Sequence, residues 1–240
     1  MRTLSIVIPA YNEERFIATL IDRINAVDLA PLDCARELLV IDDGSRDRTA
    51  EIAATLEGVR LIRKANGGKG SAVRAGIAAA TGDFVMIQDA DLEYDPRDYV
   101  PMLEAIATGR AQVVYGSRYL KHPGRGILRN LLTGKHPQQS IAAYLGGQSL
   151  SFVALACTGQ YLTDTVTALK LFPRALLIDL ALESPGFELD HEITAKVLAR
   201  GLSIVEVPIR YYPRSRAEGK KIGPRDWVRA VRTFYRWRNG

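Results

Sequence analysis

Cysteine is nearly missing from this chain: two in 240 residues, Cys34 and Cys157, far apart and in apolar settings. No disulfide framework and no zinc-type spacing can be built from them, and a reducing, cytosolic compartment is the simplest fit. Histidine is as scarce. His122, His136 and His191 are scattered, and none is assigned a metal. The start of the chain runs straight into LSIVIPAYNE, without the basic stretch and cleavage site of a secretory signal. There is no internal repeat, no low-complexity linker, no G-x-S-x-G elbow and no H-E-x-x-H pair. NGGKGSAVRAG (66–76) approaches two phosphate-binding patterns and satisfies neither. Lys69 precedes Gly70 where a P-loop needs Ser or Thr, and Val73 stands where the dinucleotide fingerprint needs glycine. What remains is a helix N-terminus with exposed amides, useful near an anion.

What is present is a large apolar fraction, 47%, enough for a sizeable core, and 25% charged residues with a net charge of +5. The charge is uneven. From Arg210 to Gly240 ten Lys/Arg face only Glu218 and Asp226, so the tail carries +8 and the rest about −3. A basic tail on a near-neutral body suits an anionic partner, and equally suits a solvated basic surface.

Short apolar runs alternate with helical patterns. Leu4–Ile8, Glu37–Ile41, Val59–Ile62, Phe84–Ile87, Val113–Tyr115, Leu169–Phe172 and Ser203–Pro208 read as strands. Asn12, and then Asp47 or Ser45, are placed to cap the first two helices. This pattern predicts an α/β fold whose mostly parallel sheet is covered on both faces. Ligands of such sheets bind beyond the carboxyl ends of the strands. PAYNE follows the first strand, DDGS the second and DAD the fourth, so three strands aim polar groups at one rim.

The densest of these groups is MIQDADLEYDP (86–96), with four carboxylates in eleven residues. Asp89 and Asp91 flank the small Ala90 at a strand end and suit a hard divalent cation, Mg²⁺ or Mn²⁺, with Glu93 as a third ligand. A solvated turn is the plain alternative. Asp95, before Pro96, reads as a turn or helix cap. Asp42 and Asp43 suit a base or ribose, or a plain helix cap. Residues 137–163 carry no charge, yet Gln and Gly-Gly pairs make them a poor spanning helix. An interfacial or substrate-covering helix and a buried core helix both fit. In the final helix, from Pro224, Trp227, Val231, Phe234 and Trp237 form one side, and Arg225, Arg229, Arg232 and Arg236 a basic stripe. That helix either lies on an anionic membrane or packs its aromatics on the body.

PAYNE (9–13), IDDGSRDRT (41–49), NGGKGSAVRAG (66–76), TGDFVMIQDADLEYDP (81–96) and YGSRY (115–119) occur in this order. LTDTVTALKLF (162–172), GFELDHEI (186–193) and VEVPIRYYPRSRAEGKKI (205–222) continue the pattern over nearly the whole chain. Together they resemble the family 2 glycosyltransferases, and among them the polyprenyl-phosphate sugar transferases. The resemblance implies a GT-A catalytic domain over 1–222, with 223–240 as a basic aromatic C-terminal helix. It implies a nucleotide-sugar donor, held by Pro9, Tyr11, Glu13, Asp42, Asp43, Lys69 and Asp89, with Arg214 and Lys220 clamping phosphate from a loop. Asp89, Asp91 and Glu93 would hold Mg²⁺ or Mn²⁺ against the diphosphate. Asp91, Arg118, Asp164 and Asp190 would carry the catalytic roles, Asp164 on the acceptor side and Asp190 where relatives place an acidic base; His191 and Glu192 read as helix surface. The expected reaction is a single inverting displacement onto a polyprenyl phosphate, at the inner face of a membrane and in peripheral contact with anionic lipid. A soluble phosphorylated or glycan acceptor is the alternative. Position 93 is Glu where mannose synthases commonly have Gln, and no membrane-spanning helix follows the catalytic motifs before Gly240. A nucleotidyltransferase is disfavoured by the missing early G-x-G-x-R, and a non-catalytic nucleotide- or RNA-binding module would use the basic tail alone. No nucleic-acid partner is expected, and the sequence sets no oligomeric state.

Overall fold

The computed structural model describes residues 1–121, 141–213 and 224–239. Seven strands form one sheet in the order β3-β2-β1-β4-β6-β5-β7. They are β1 (Arg2–Ala10), β2 (Cys34–Asp42), β3 (Val59–Arg63), β4 (Phe84–Ile87), β5 (Val113–Ser117), β6 (Lys170–Pro173) and β7 (Ile204–Pro208). The helices between them are α1 (Ile17–Asn25), α2 (Thr49–Thr55), α3 (Lys69–Ala79), α4 (Tyr99–Ala107), α5 (Ile141–Thr158), α6 (Arg174–Asp179), α7 (Leu189–Ala199) and α8 (Pro224–Arg236).

Strand side chains alternate between faces, so a strand buried on both sides reads as a continuous apolar run. β1 does this. Leu4, Ile6 and Ile8 join one core with residues of α1 and α4, whereas Val7 joins a second core with residues of α3 and α7. α3 lies so close to β1 that a Cβ at Gly76 would collide with Val7.

All neighbours in the sheet are parallel except β6, which runs antiparallel to β4 and β5. The register aligns Pro9 with Ile41 and Val7 with Ile87, so the PAYNE, DDGS and DAD segments leave the sheet at one edge. The reversed β6 brings its own start to that edge, pairing Lys170 with Ile87 and Tyr115. The segment before β6, residues 163–169, is thereby delivered to the rim, where a parallel strand would have carried it to the opposite side.

Both expected caps take other work. Asn12 has a left-handed φ of 57° and hydrogen-bonds across to residues 45 and 46; α1 begins after Phe16 with no side-chain cap. Asp47 accepts the Thr49 amide and hydroxyl, ahead of an α2 capped by no side chain. Asp95 does cap, accepting the Arg97 amide at 3.0 Å. Among the described residues no helix is long and apolar enough to cross a membrane. α5 instead buries Tyr144, Leu150 and Ala154 and leaves Ile141, Leu145 and Phe152 exposed. α8 buries Ala230 and Phe234 against the body, with Phe234 in a small core beside Ala154 and Ala195. Trp227, Val228 and Tyr235 stay exposed. One side of this helix thus packs on the body, and another stays exposed beside the arginines.

Candidate active site

The first two rim loops are tied to each other by backbone–side-chain bonds. The Asn12 amide donates to Ser45 Oγ, the Arg46 amide to Asn12 Oδ1, and the Glu13 amide to Thr49 Oγ1, at 2.8–3.0 Å. These fix Pro9, Tyr11 and Glu13, all half-buried, above the end of β1. Asp42 accepts the Ser45 amide and sits 3.8 Å from Arg63. Asp43 reaches the other way. Its carboxylate takes Lys64 Nζ at 2.6 Å and the amides of Gly67 and Gly68 at 3.0 and 2.7 Å. Asp43 is therefore the clasp that holds the glycine loop to the sheet. Gly68 has a φ of 91°, and a Cβ there would press on the Pro185 carbonyl. Only glycine makes this turn without strain, and the turn starts α3 at Lys69.

Lys69 is the product of that turn. Its ammonium lies 2.8 Å from one oxygen of Asp89 and 3.5 Å from Asp190. Burial works against its charge, but Asp190, Asp89 and Asp91 outweigh burial and hold its pKa above the ordinary lysine value. Asp91 accepts the Glu93 amide at 3.1 Å across Leu92, whose φ of 60° is left-handed. A non-glycine residue there stores about 1–2 kcal/mol of strain. Glu93 accepts the Tyr211 hydroxyl at 2.6 Å, and Tyr212 donates its amide to the Glu93 carbonyl. The segment after β7 is thus fastened across the DAD loop.

Among the described residues no three His, Cys, Asp or Glu side chains are grouped to hold a metal. The trio Asp89, Asp91 and Glu93 is not a ready cage, because Tyr211 engages Glu93 and Lys69 lies on Asp89. Two carboxylates with phosphate oxygens are nevertheless the usual donor set for Mg²⁺. The ammonium resting on Asp89 marks that position as one where a cation is stabilised. The chemistry of the residues therefore fits a hard divalent cation, which Asp89 and Asp91 would hold.

Arg118 and Asp164, distant in sequence, meet in a two-pronged ion pair, Nε to Oδ2 at 2.6 Å and Nη2 to Oδ1 at 2.7 Å. The guanidinium also lies 5.0 Å from the Tyr211 ring. Asp164 is positioned from behind by Glu206 of β7, which accepts the amides of Thr163 and Asp164 and the Thr163 hydroxyl. Burial raises Glu206 to about 7, against the lowering effect of those donors.

Asp190, in the first turn of α7, pairs with the fully buried Lys170 at 2.6 Å. Burial would raise its pKa, but Lys170 and Lys69 hold it down at about 2. Burial lowers the pKa of Lys170 in spite of Asp190. His191 and Glu192 are not helix surface: both are buried, because α7 is enclosed from Leu189 to Leu198. Glu192 binds Lys196 and the amides of residues 183 and 184, and His191 packs on Phe234. Arg214 and Lys220 lie outside the described residues.

Lys170, Glu206 and Tyr211 were not anticipated from sequence. Lys170 did leave a signal, a lysine inside the apolar run LKLF. A charge in a buried strand needs a partner.

Among solved structures, the fold matches glucosyl-3-phosphoglycerate synthase from Mycobacterium tuberculosis in complex with UDP, at a TM-score of 0.66 and 25% identity, over 99% of this chain and 80% of that one. The same enzyme in complex with Mn²⁺, UDP-glucose and phosphoglyceric acid matches at 0.63 and 25% identity, over 90% of this chain and 74% of that one. The architecture is that of the GT-A glycosyltransferases. Among curated proteins, a dolichol-phosphate mannosyltransferase of Pyrococcus furiosus is 30% identical over 98% of this chain and 64% of its own length. A dolichyl-phosphate hexose transferase of Haloferax volcanii is 31% identical over 92% of this chain and 87% of its own. The chain spans about half to two thirds of the length of several such relatives. The family model for glycosyl transferase family 2 matches residues 5–162, from β1 through the rim loops and into the segment that precedes Asp164. Two thirds of the sequence is covered in one unbroken stretch that includes the DAD rim, and the chain belongs to glycosyl transferase family 2.

Proposed function

We propose that the chain is an inverting glycosyltransferase that moves a sugar from a nucleotide-sugar donor to a polyprenyl phosphate, with Mg²⁺ or Mn²⁺. The observation that carries this reading is the juxtaposition, at one sheet edge, of Asp89 and Lys69 with Asp190. An acidic pair for a cation lies beside an ammonium for phosphate. Pro9, Tyr11, Glu13 and Asp42 supply the nucleoside end of the donor site; Asp43 holds the glycine loop that presents Lys69. Asp89 and Asp91 would hold the cation, which supplies charge neutralisation of the departing nucleoside diphosphate.

Asp190 is a poor general base. Two ammonium groups stabilise its anionic form, and a base held at about 2 takes up a proton reluctantly. A phosphate acceptor needs no such base, since it is already an anion at neutral pH. Arg118, oriented by Asp164, is the cation on the acceptor side. The curated relatives named for dolichyl phosphate support a lipid phosphate. So do the exposed apolar residues Ile141, Leu145 and Phe152 of α5 and Trp227, Val228 and Tyr235 of α8, the latter beside the exposed arginines of their own helix. A soluble phosphorylated acceptor is the second reading, favoured by the structural neighbour that holds phosphoglyceric acid.

The test is donor binding and transfer across UDP- and GDP-sugars, with and without Mn²⁺, for wild type and Asp91→Ala. Polyprenyl phosphate and 3-phosphoglycerate are offered as acceptors in parallel. The expected result is metal-dependent transfer to the lipid phosphate from one nucleotide class, lost in the variant. Metal-independent binding that survives in Asp91→Ala would remove the rim as the donor site.

A further inference from the structure

Lys69 has two carboxylate partners and is shared unequally between them. Its Nζ lies 2.8 Å and 3.1 Å from the two oxygens of Asp89, and 3.5 Å from Oδ2 of Asp190. The other oxygen of Asp190, Oδ1, takes Lys170 Nζ at 2.6 Å. Asp89, Lys69, Asp190 and Lys170 therefore form a row of alternating charge. The row is graded in burial. The Asp89 side chain is 23% exposed at the rim, Lys69 15%, Asp190 11% and Lys170 0%. Its inner end is fixed. Lys170 stands in the sheet, paired in register with Ile87 and Tyr115, and its ammonium also reaches the Asp190 carbonyl. Its outer end is Asp89, one of the two carboxylates read as the cation-binding pair. Between them Lys69 is a compact charge on a flexible four-carbon stem.

We propose that Lys69 is the resident counter-ion of Asp89, giving way to an arriving divalent cation by moving fully onto Asp190, which Lys170 holds ready for it. This rests on the reading of Asp89 and Asp91 as the cation-binding pair. Lys69 and the cation then compete for one carboxylate. The cation alone binds weakly, because it must displace an ammonium and sit near it. A cation that arrives with a diphosphate binds well, because the diphosphate neutralises both positive groups. Lys69 thus ties metal binding to donor binding. Asp190 and Lys170 are positioning residues in this scheme, and Asp190 abstracts no proton.

The experiment is titration of Mn²⁺ alone into the full chain, followed by the electron paramagnetic resonance signal of free Mn²⁺, with no sugar donor and no turnover. Wild type, Lys69→Met, Lys69→Gln, Asp190→Asn and the double variant Lys69→Met/Asp190→Asn are compared, each checked for folding by its thermal transition. Both Lys69 variants are expected to bind Mn²⁺ tighter than wild type by roughly fivefold or more, the scale of coupling between competing sites. Asp190→Asn is expected to bind it more weakly, because Lys69 has lost its second partner. The double variant should match Lys69→Met, which a purely structural role of Asp190 would not produce. Lys69 variants that fold and bind Mn²⁺ no tighter than wild type overturn the proposal. If wild type still takes up Mn²⁺ together with UDP or GDP, the cation site itself stands and only the counter-ion role is lost. No uptake by any protein, with or without nucleotide, overturns both.

Discussion

At the scale of single residues, the rim is governed by pairs in which one partner is buried and the other decides the charge. Lys170 is the clearest case, since its only ion-pair partner among the described residues is Asp190. Removing one member of a buried pair leaves an uncompensated charge and costs about 3–5 kcal/mol. Asp190 keeps Lys69 as a second partner, so Lys170→Met is expected to lower the unfolding free energy by less than that full cost, measured by urea denaturation at neutral pH. Glu206 makes a pH-dependent prediction. Its folded pKa, about 7, stands above the ordinary value of 4.5, so the folded state holds a proton that the unfolded chain releases. Its stabilising contribution is complete below about 4.5 and is lost as pH rises through about 7. In Glu206→Gln the fall in thermal stability between pH 5 and 7.5 should flatten. The variant should also be less stable throughout, because an amide cannot accept from all three donors that Glu206 serves.

At the scale of elements, the approach of α3 to β1 sets where Lys69 emerges. Gly76→Ala forces a methyl into Val7 and should destabilise the fold by about 1–3 kcal/mol. It should also weaken donor binding, because the displaced helix carries Lys69 with it. The helix α8 does two things with its faces. Phe234 anchors it on α5 and α7, while Arg225, Arg229 and Arg232 stay exposed beside Val228 and Tyr235. Each arginine near an anionic membrane contributes about 1 kcal/mol. Arg229→Glu with Arg232→Glu should abolish co-sedimentation with anionic vesicles, and wild-type binding should fall steeply with salt. Equal sedimentation of the two proteins would remove the membrane from the account of this helix.

At the scale of the whole molecule, α8 is part of the body and not an appendage. Phe234 is fully buried, and Trp237 carries the Lys196 ammonium 3.8 Å from its ring centre. Phe234→Ala should cost roughly 3–5 kcal/mol and loosen α7, which bears Asp190. The described residues form one sheet, and that sheet decides the site. Parallel strands bring three loops to a single edge, and one reversed strand brings a fourth segment with its lysine.

The sequence by itself determined the strands, the rim and the residue types gathered there. Continuous apolar runs require burial on both faces, and a parallel sheet places all its strand ends together. The PAYNE, DDGS and DAD segments were legible for that reason, and so was the family. The pairings were decided only by the tertiary structure. Asp43 clasps Gly67 and Gly68, Tyr211 holds Glu93, and Lys69 meets Asp190 across 121 positions. Each depends on which elements lie side by side, and the reversal of β6 leaves no mark in local periodicity. Burial of His191 and Glu192 has the same origin. A helix enclosed by a sheet on one side and by α5 and α8 on the other can bury polar residues that its own sequence would assign to water.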